Sequence, residues 1–140
     1  MKRFSALLLT LIMLLTCLLP CAQAENPGIR SSNFFCSYGT TLSKEGNGRI
    51  KIVFSTTGIG VCNQLGVATY HVERRDENGN WENVSDTLYG SMGTNITNYT
   101  FSRYFNGVAG ETYRVKVVFL CTINNASEVQ DYTSGIITAK

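Results

Sequence analysis

The chain has 140 residues, with 12 Lys and Arg against 10 Asp and Glu and a single His. Lys2 and Arg3 account for the whole basic excess, so residues 25–140 are balanced in charge and offer no concentrated positive face for a nucleic acid. That length suits one domain, and the lone His with no Cys-x-x-Cys spacing argues against a structural zinc site.

The first 24 residues have the layout of a signal peptide. Lys2 and Arg3 precede an apolar run from Ala6 to Leu19, too short for a transmembrane helix, and Ala22-Gln23-Ala24 supplies small residues for cleavage. Retention as an anchor and lipidation of Cys21 are the rival fates, and Pro20 is a poor neighbour for the second. No later run is long and apolar enough to insert stably in a membrane after cleavage. The expected address is therefore secreted or envelope-associated. Residues 25–32 (ENPGIRSS) read as a flexible leader, and 33–140 as a single β domain.

In that domain, short alternating segments are separated by Gly, Asn and Ser clusters. A weak strand is expected over 33–42, then a turn at KEGNG. Residues 49–55 alternate, with Ile50, Ile52 and Phe54 on one face. TTGIGVCNQLG (56–66) reads as a glycine-containing loop. Residues 68–75 alternate again, with Ala68, Tyr70 and Val72 inward and Thr69, His71 and Glu73 outward. Asn-Gly in DENGN (76–80) signals a hairpin returning through Trp81 to Ser85. Residues 86–97 read as an irregular connection, 98–105 as a strand and NGVAGE as a turn. The best strand is Tyr113 to Cys121. Tyr113, Val115, Val117, Phe119 and Cys121 lie on one face, and Arg114, Lys116, Val118 and Leu120 on the other. After the loop TINNASE, residues 129–139 close the domain. About seven strands in this rhythm predict an all-β, immunoglobulin-like two-sheet sandwich.

Two segments resemble the fibronectin type III and wider immunoglobulin-like superfamily. TYHVERRDENGNWENV is similar to the third strand and hairpin of such domains, and VAGETYRVKVVF to their sixth strand and the turn before it. The resemblance implies that the Tyr113 ring enters the core while its hydroxyl returns to turn backbone. Phe54 or a neighbour stands where a fibronectin type III domain carries a core Trp, and Ala109 where Pro is frequent. The wider pattern, with TGxGxxxxLG after the second strand and YRVKV near the end, resembles small secreted proteins of Gram-positive gut bacteria that have no assigned biochemistry.

In such a sandwich the second and sixth strands finish at one pole, which implies a Cys62–Cys121 disulfide with Cys36 left over. Cys36–Cys62 and Cys36–Cys121 bonds are rivals, and three buried thiols are the alternative to any bond. The same pole would carry Ile59, Val61, Leu120 and Ile123, a candidate partner-binding surface or an ordinary end-cap. Trp81, Tyr89, Tyr99 and Tyr104 are candidates for a sugar-stacking platform. Cross-strand pairing of Glu73 with Arg114 or Lys116 is expected from the antiparallel placement of their strands.

Catalytic arrangements are not legible. His71 has no nucleophile placed beside it, and Asp76, Glu77, Glu82 and Asp86 cluster at a hairpin. The glycines at 58, 60 and 66 precede no helix or Gly-Lys-Ser/Thr, and no cofactor is implied. Asn83, Asn95, Asn98 and Asn125 match the glycosylation tripeptide, a pattern that composition alone produces readily in an Asn- and Thr-rich chain. The expected role is non-catalytic: surface recognition or adhesion outside the cell through a protein or glycan partner, with a glycan-binding module or a structural envelope component as alternatives.

Overall fold

A computed structural model describes residues 32–140; the expected signal peptide (1–24) and the leader through residue 31 lie outside the described residues. The described chain is all-β, without helix, and forms one hydrogen-bonded sheet of eight strands curled into a half-barrel. In chain order the strands are β1 (Phe35–Gly46), β2 (Arg49–Arg75), β3 (Trp81–Asn83) and β4 (Leu88–Tyr89). Then come β5 (Met92–Asn106), β6 (Thr112–Ile123), β7 (Ala126–Thr133) and β8 (Ile137–Thr138).

β2 organises the rest. Its first half, from Arg49, lies between β1 and β5, all pairs antiparallel. Its second half pairs with β6, with Gln64 opposite Thr122 through Arg74 opposite Tyr113. On the other side of that half lie β3, β4 and the start of β5. β7 extends the sheet beyond β6, and β8 pairs with the N-terminal end of β6.

This corrects the loop expected over 56–66, which is strand throughout. Phe35 pairs with Gly58 on one side of this stretch, and Cys62 pairs with Ile96 on the other after a register shift. Gly58 makes the bend possible: a Cβ there would sit 2.3 Å from the Cys62 Sγ, so the strand folds a cysteine back onto its own glycine. The connection expected over 86–97 also contains β4 and the start of β5. Ala68 is the extra residue of an irregularity between Val67 and Thr69, so Leu65 and Val67 are buried on one side of it and Tyr70 and Val72 on the other. Ala68 itself is only half-buried.

The concave side holds the core. Ile50, Ile52 and Phe54 of β2 meet Tyr113, Val115, Val117, Phe119 and Cys121 of β6, all buried. Phe54 fills the expected central aromatic position, with ring centroids 4.9 Å from Tyr70 and 4.8 Å from Phe101. Tyr113 takes the expected corner role. Its ring packs 5.4 Å from Phe105, and its hydroxyl accepts a hydrogen bond from the Val108 amide at 2.8 Å.

Candidate functional site

Alternation along β6 gives it two faces with different tasks. Residues 113, 115, 117, 119 and 121 point into the core, so 114, 116, 118 and 120 point outward. Directly opposed residues of antiparallel strands project to the same side, so the register extends each outward residue into a row across the sheet. Leu120 stands between Val129 of β7 and Gly66 of β2, and Gly66 faces Met92 of β5. One step along, Val118 stands between Asp131 and Thr69, and Thr69 faces Tyr89 of β4. Val129, Met92 and Tyr89 are exposed, Tyr89 at 85%. Val118 and Leu120 are half-buried between them. The result is an outward, largely apolar band, broken by Asp131 and Thr69 in its second row and closed at Gly66 by the Ser91 carbonyl and the Tyr99 ring, which a Cβ there would meet at 2.3 and 3.1 Å.

An ionic cluster borders the band. His71 pairs with Lys116, and Glu73 with Arg114, in the next rows of the ladder. Arg114 Nε donates to Glu73 Oε2 at 2.5 Å, and Lys116 Nζ lies 3.3 Å from Glu73 Oε1, as the expected cross-strand pairing requires. His71 Nε2 is 3.7 Å from the same oxygen. Glu73 points outward yet is only 7% exposed, because these side chains close over it. Burial alone would raise its pKa; hydrogen bonds and positive charge from Arg114 and Lys116 outweigh it and hold the carboxyl below its ordinary value. The Arg114 guanidinium also lies over the Trp81 ring, 4.3 Å from its centroid. Beyond this cluster Arg74 pairs with Glu82, and the Asn80 amide donates to Asp76 Oδ1 at 2.6 Å to close the expected hairpin.

The four aromatic residues expected to form a sugar platform do not share a plane. Tyr99 and Tyr104 are five positions apart on β5, an odd separation that sends them to opposite faces. Tyr99 packs 5.7 Å from Phe101 and its hydroxyl bonds to Ser91 at 2.6 Å, whereas Tyr104 lies on the convex side beneath Arg49, 3.9 Å from the guanidinium carbon. Trp81 lies opposite Arg75 and Tyr89 opposite Thr69, six residues apart along β2 and therefore about 20 Å.

The candidate surface expected at the pole, Ile59, Val61, Leu120 and Ile123, also divides. Ile59 and Val61 protrude, at 63% and 64% exposure, while Ile123 packs against the core. Leu120 belongs to the outward band instead. Asn124 N donates to Asn63 Oδ1 at 2.9 Å, which ties the β6–β7 turn to the middle of β2. Sequence reasoning missed Met92 and Val129 as surface residues. Val118 and Leu120 were visible as the outward row of β6, but their neighbours depend on the cross-strand register.

Cys62 and Cys121 are brought together as expected, but as two buried thiols. Cys121 Sγ donates to Cys62 Sγ at 2.9 Å, and Cys36 is a separate, exposed thiol. Among the described residues no three His, Cys, Asp or Glu side chains converge as a metal site. The chain matches no family model, no curated protein and no solved structure in comparisons with known proteins.

Proposed function

We propose that the protein is a secreted, non-catalytic β-sandwich that recognises a protein partner outside the cell or at its envelope through the outward band of β4–β7. The observation that carries this reading is the run of Val129, Leu120, Val118, Met92 and Tyr89 on one face, bordered by the Glu73–Arg114–Lys116 cluster. Apolar side chains gathered on one face and rimmed by charge are the usual make-up of a protein-binding patch. A glycan would need several hydrogen-bond donors and acceptors beside a stacking ring, and beside Tyr89 the ladder places one hydroxyl, that of Thr69, with Val118 next in the row.

The immunoglobulin-like architecture belongs to the same reading. It is supported by the grouping of strands around β2: β1, its first half and β5 on one side; β7, β6, its second half and β3/β4 on the other. That is the strand grouping of an immunoglobulin-like sandwich in which the second and third strands run on as one.

Photo-crosslinking residues placed at Val129 and Tyr89, and separately at Lys51 and Tyr104 on a distant part of the convex side, test the reading in the producing cells. Discrete protein adducts from the first pair alone are expected, with no binding on a glycan array. Equal adduct formation from both faces, or none from Val129 and Tyr89, would overturn it and favour a purely structural role; array binding lost in Tyr89→Ala would favour a glycan.

A further inference from the structure

The paired thiols lie outside the recognition reading and stand independently of it. Cys62 and Cys121 are each 0% exposed, the first at the bend of β2 and the second near the end of β6, with sulfurs 2.9 Å apart. Nothing packs between them. Cys62 Sγ donates to the Gly60 carbonyl at 3.5 Å, and Cys121 Sγ also lies 3.9 Å from the Phe34 carbonyl.

Phe34 belongs to a short strap, Ser32 to Phe35, that covers the pair. The strap is held largely by side chains rather than by a ladder. Glu128 Oε2 accepts from the amides of Asn33 at 3.1 Å and Phe34 at 3.0 Å. Ser32 Oγ accepts from the Phe35 amide at 2.7 Å, and the Ile59 amide donates to the Phe34 carbonyl at 3.0 Å. Glu128 sits directly opposite Cys121 in the β6–β7 register, so the latch and the thiol it covers are neighbours. At Cys36 the β1 ladder is interrupted, between Phe35 opposite Gly58 and Ser37 opposite Thr57. The strap is thus a weakly paired end, anchored by the buried Phe35 ring, and its opening is a local event that draws Phe34 and Phe35 off the edge of the core.

We propose that Cys62 and Cys121 form a dithiol modification site, oxidised to an intramolecular disulfide by a low-molecular-weight or protein disulfide, and that the Ser32–Phe35 strap gates it. The exchange balances in two steps. A Cys62 thiolate attacks one sulfur of the reagent disulfide and releases one reagent thiol, leaving a mixed disulfide on Cys62. Cys121 then loses its proton, attacks the Cys62 sulfur and releases the second thiol. Two protein thiols become one disulfide while one reagent disulfide becomes two thiols. Cys121 comes second because burial, and then its hydrogen bond to Cys62, push its thiol up to about 12. Neither step can occur beneath a closed strap, since both sulfurs are sealed from solvent. Cys36, exposed at the irregularity, stays outside the bond and takes up reagent singly.

The test uses the whole protein, purified reduced and incubated with glutathione disulfide, both folded and during refolding from denaturant. Peptide mapping is expected to recover Cys62 joined to Cys121 and Cys36 carrying glutathione. In the folded protein, Glu128→Ala and Ser32→Ala should speed bond formation by about tenfold, by loosening the strap, without changing the product. Recovery of Cys62 and Cys121 as free thiols after oxidative refolding, or of either joined to Cys36, overturns the site. Unchanged rates in folded Glu128→Ala and Ser32→Ala overturn the gate. Should Glu128→Ala not fold, Ser32→Ala alone decides.

Discussion

Replacing Glu73 by Gln keeps the shape of the side chain and removes its charge, which isolates what the outward ionic cluster contributes. The Arg114 bond, at 2.5 Å with the two side chains only 23% and 9% exposed, is short, charge-assisted and sheltered. The Lys116 contact, at 3.3 Å to a side chain 45% exposed, is screened and contributes little. Losing the charge should therefore cost about 1.5–2 kcal/mol at neutral pH, most of it through Arg114. For a domain of this size that is a fall in Tm of roughly 6–8 °C. The dependence on pH identifies the cause. The folded-state pKa of Glu73 lies below its ordinary 4.5, so the carboxylate's contribution is complete above that value and is lost as pH falls through the lower folded value. Thermal melts of wild type and Glu73→Gln, followed by circular dichroism from pH 7 down to about 3, should show a gap that is widest at neutrality and closes below about pH 4.5. Equal midpoints at pH 7, or a gap as wide at the acid end as at neutrality, would show that the cluster stabilises through packing alone.

Two further substitutions test the corner that closes β6. Tyr113→Phe removes only the hydroxyl that accepts the Val108 amide, and should lower stability by about 1 kcal/mol in urea denaturation with an unchanged slope. Gly107→Ala places a methyl 2.8 Å from the Tyr113 ring, and that buried ring cannot retreat, so a loss of about 1–3 kcal/mol is expected in the same assay. A Gly107→Ala midpoint equal to wild type would mean that the turn, not the ring, yields.

Much of the fold was legible where a local signal coincided with a tertiary one. The alternation from Tyr113 to Cys121 named five side chains, and all five are buried. The hydroxyl of Tyr113 and the pairing of Glu73 with Arg114 followed from strand order and parity. Residues 56–66 were illegible for a physical reason. Their glycines carry the usual signature of a loop, but here they admit the Cys62 sulfur against Gly58 and let β2 bend where the ladder with β5 breaks between Thr57 and Cys62. The irregularity at Ala68 could not be read either, because an extra residue in a strand changes phase without changing composition. The aromatic candidates failed as a set for the opposite reason: composition brought them to notice, and only register reveals that Tyr99 and Tyr104 face opposite ways.

Parity along β6 also separates the core from the face proposed for recognition. Inward Val115, Val117 and Phe119 are surrounded by core, so truncating any of them removes packing that nothing replaces. Outward Val118 and Leu120 belong to the band, and Val129 and Met92 beside them are already exposed, so polar substitution of those neighbours costs little folding energy. Glu73 is the exception that links the two faces, since it points outward and is yet buried beneath the charges it pairs with. The short bond to Glu73 holds Arg114 in place at the border of the band, so a partner of the kind proposed would meet that charge already ordered and need not supply the entropy of ordering it. The face proposed for binding is built rigid, because the ladder that positions the band is the same ladder whose opposite side closes the core.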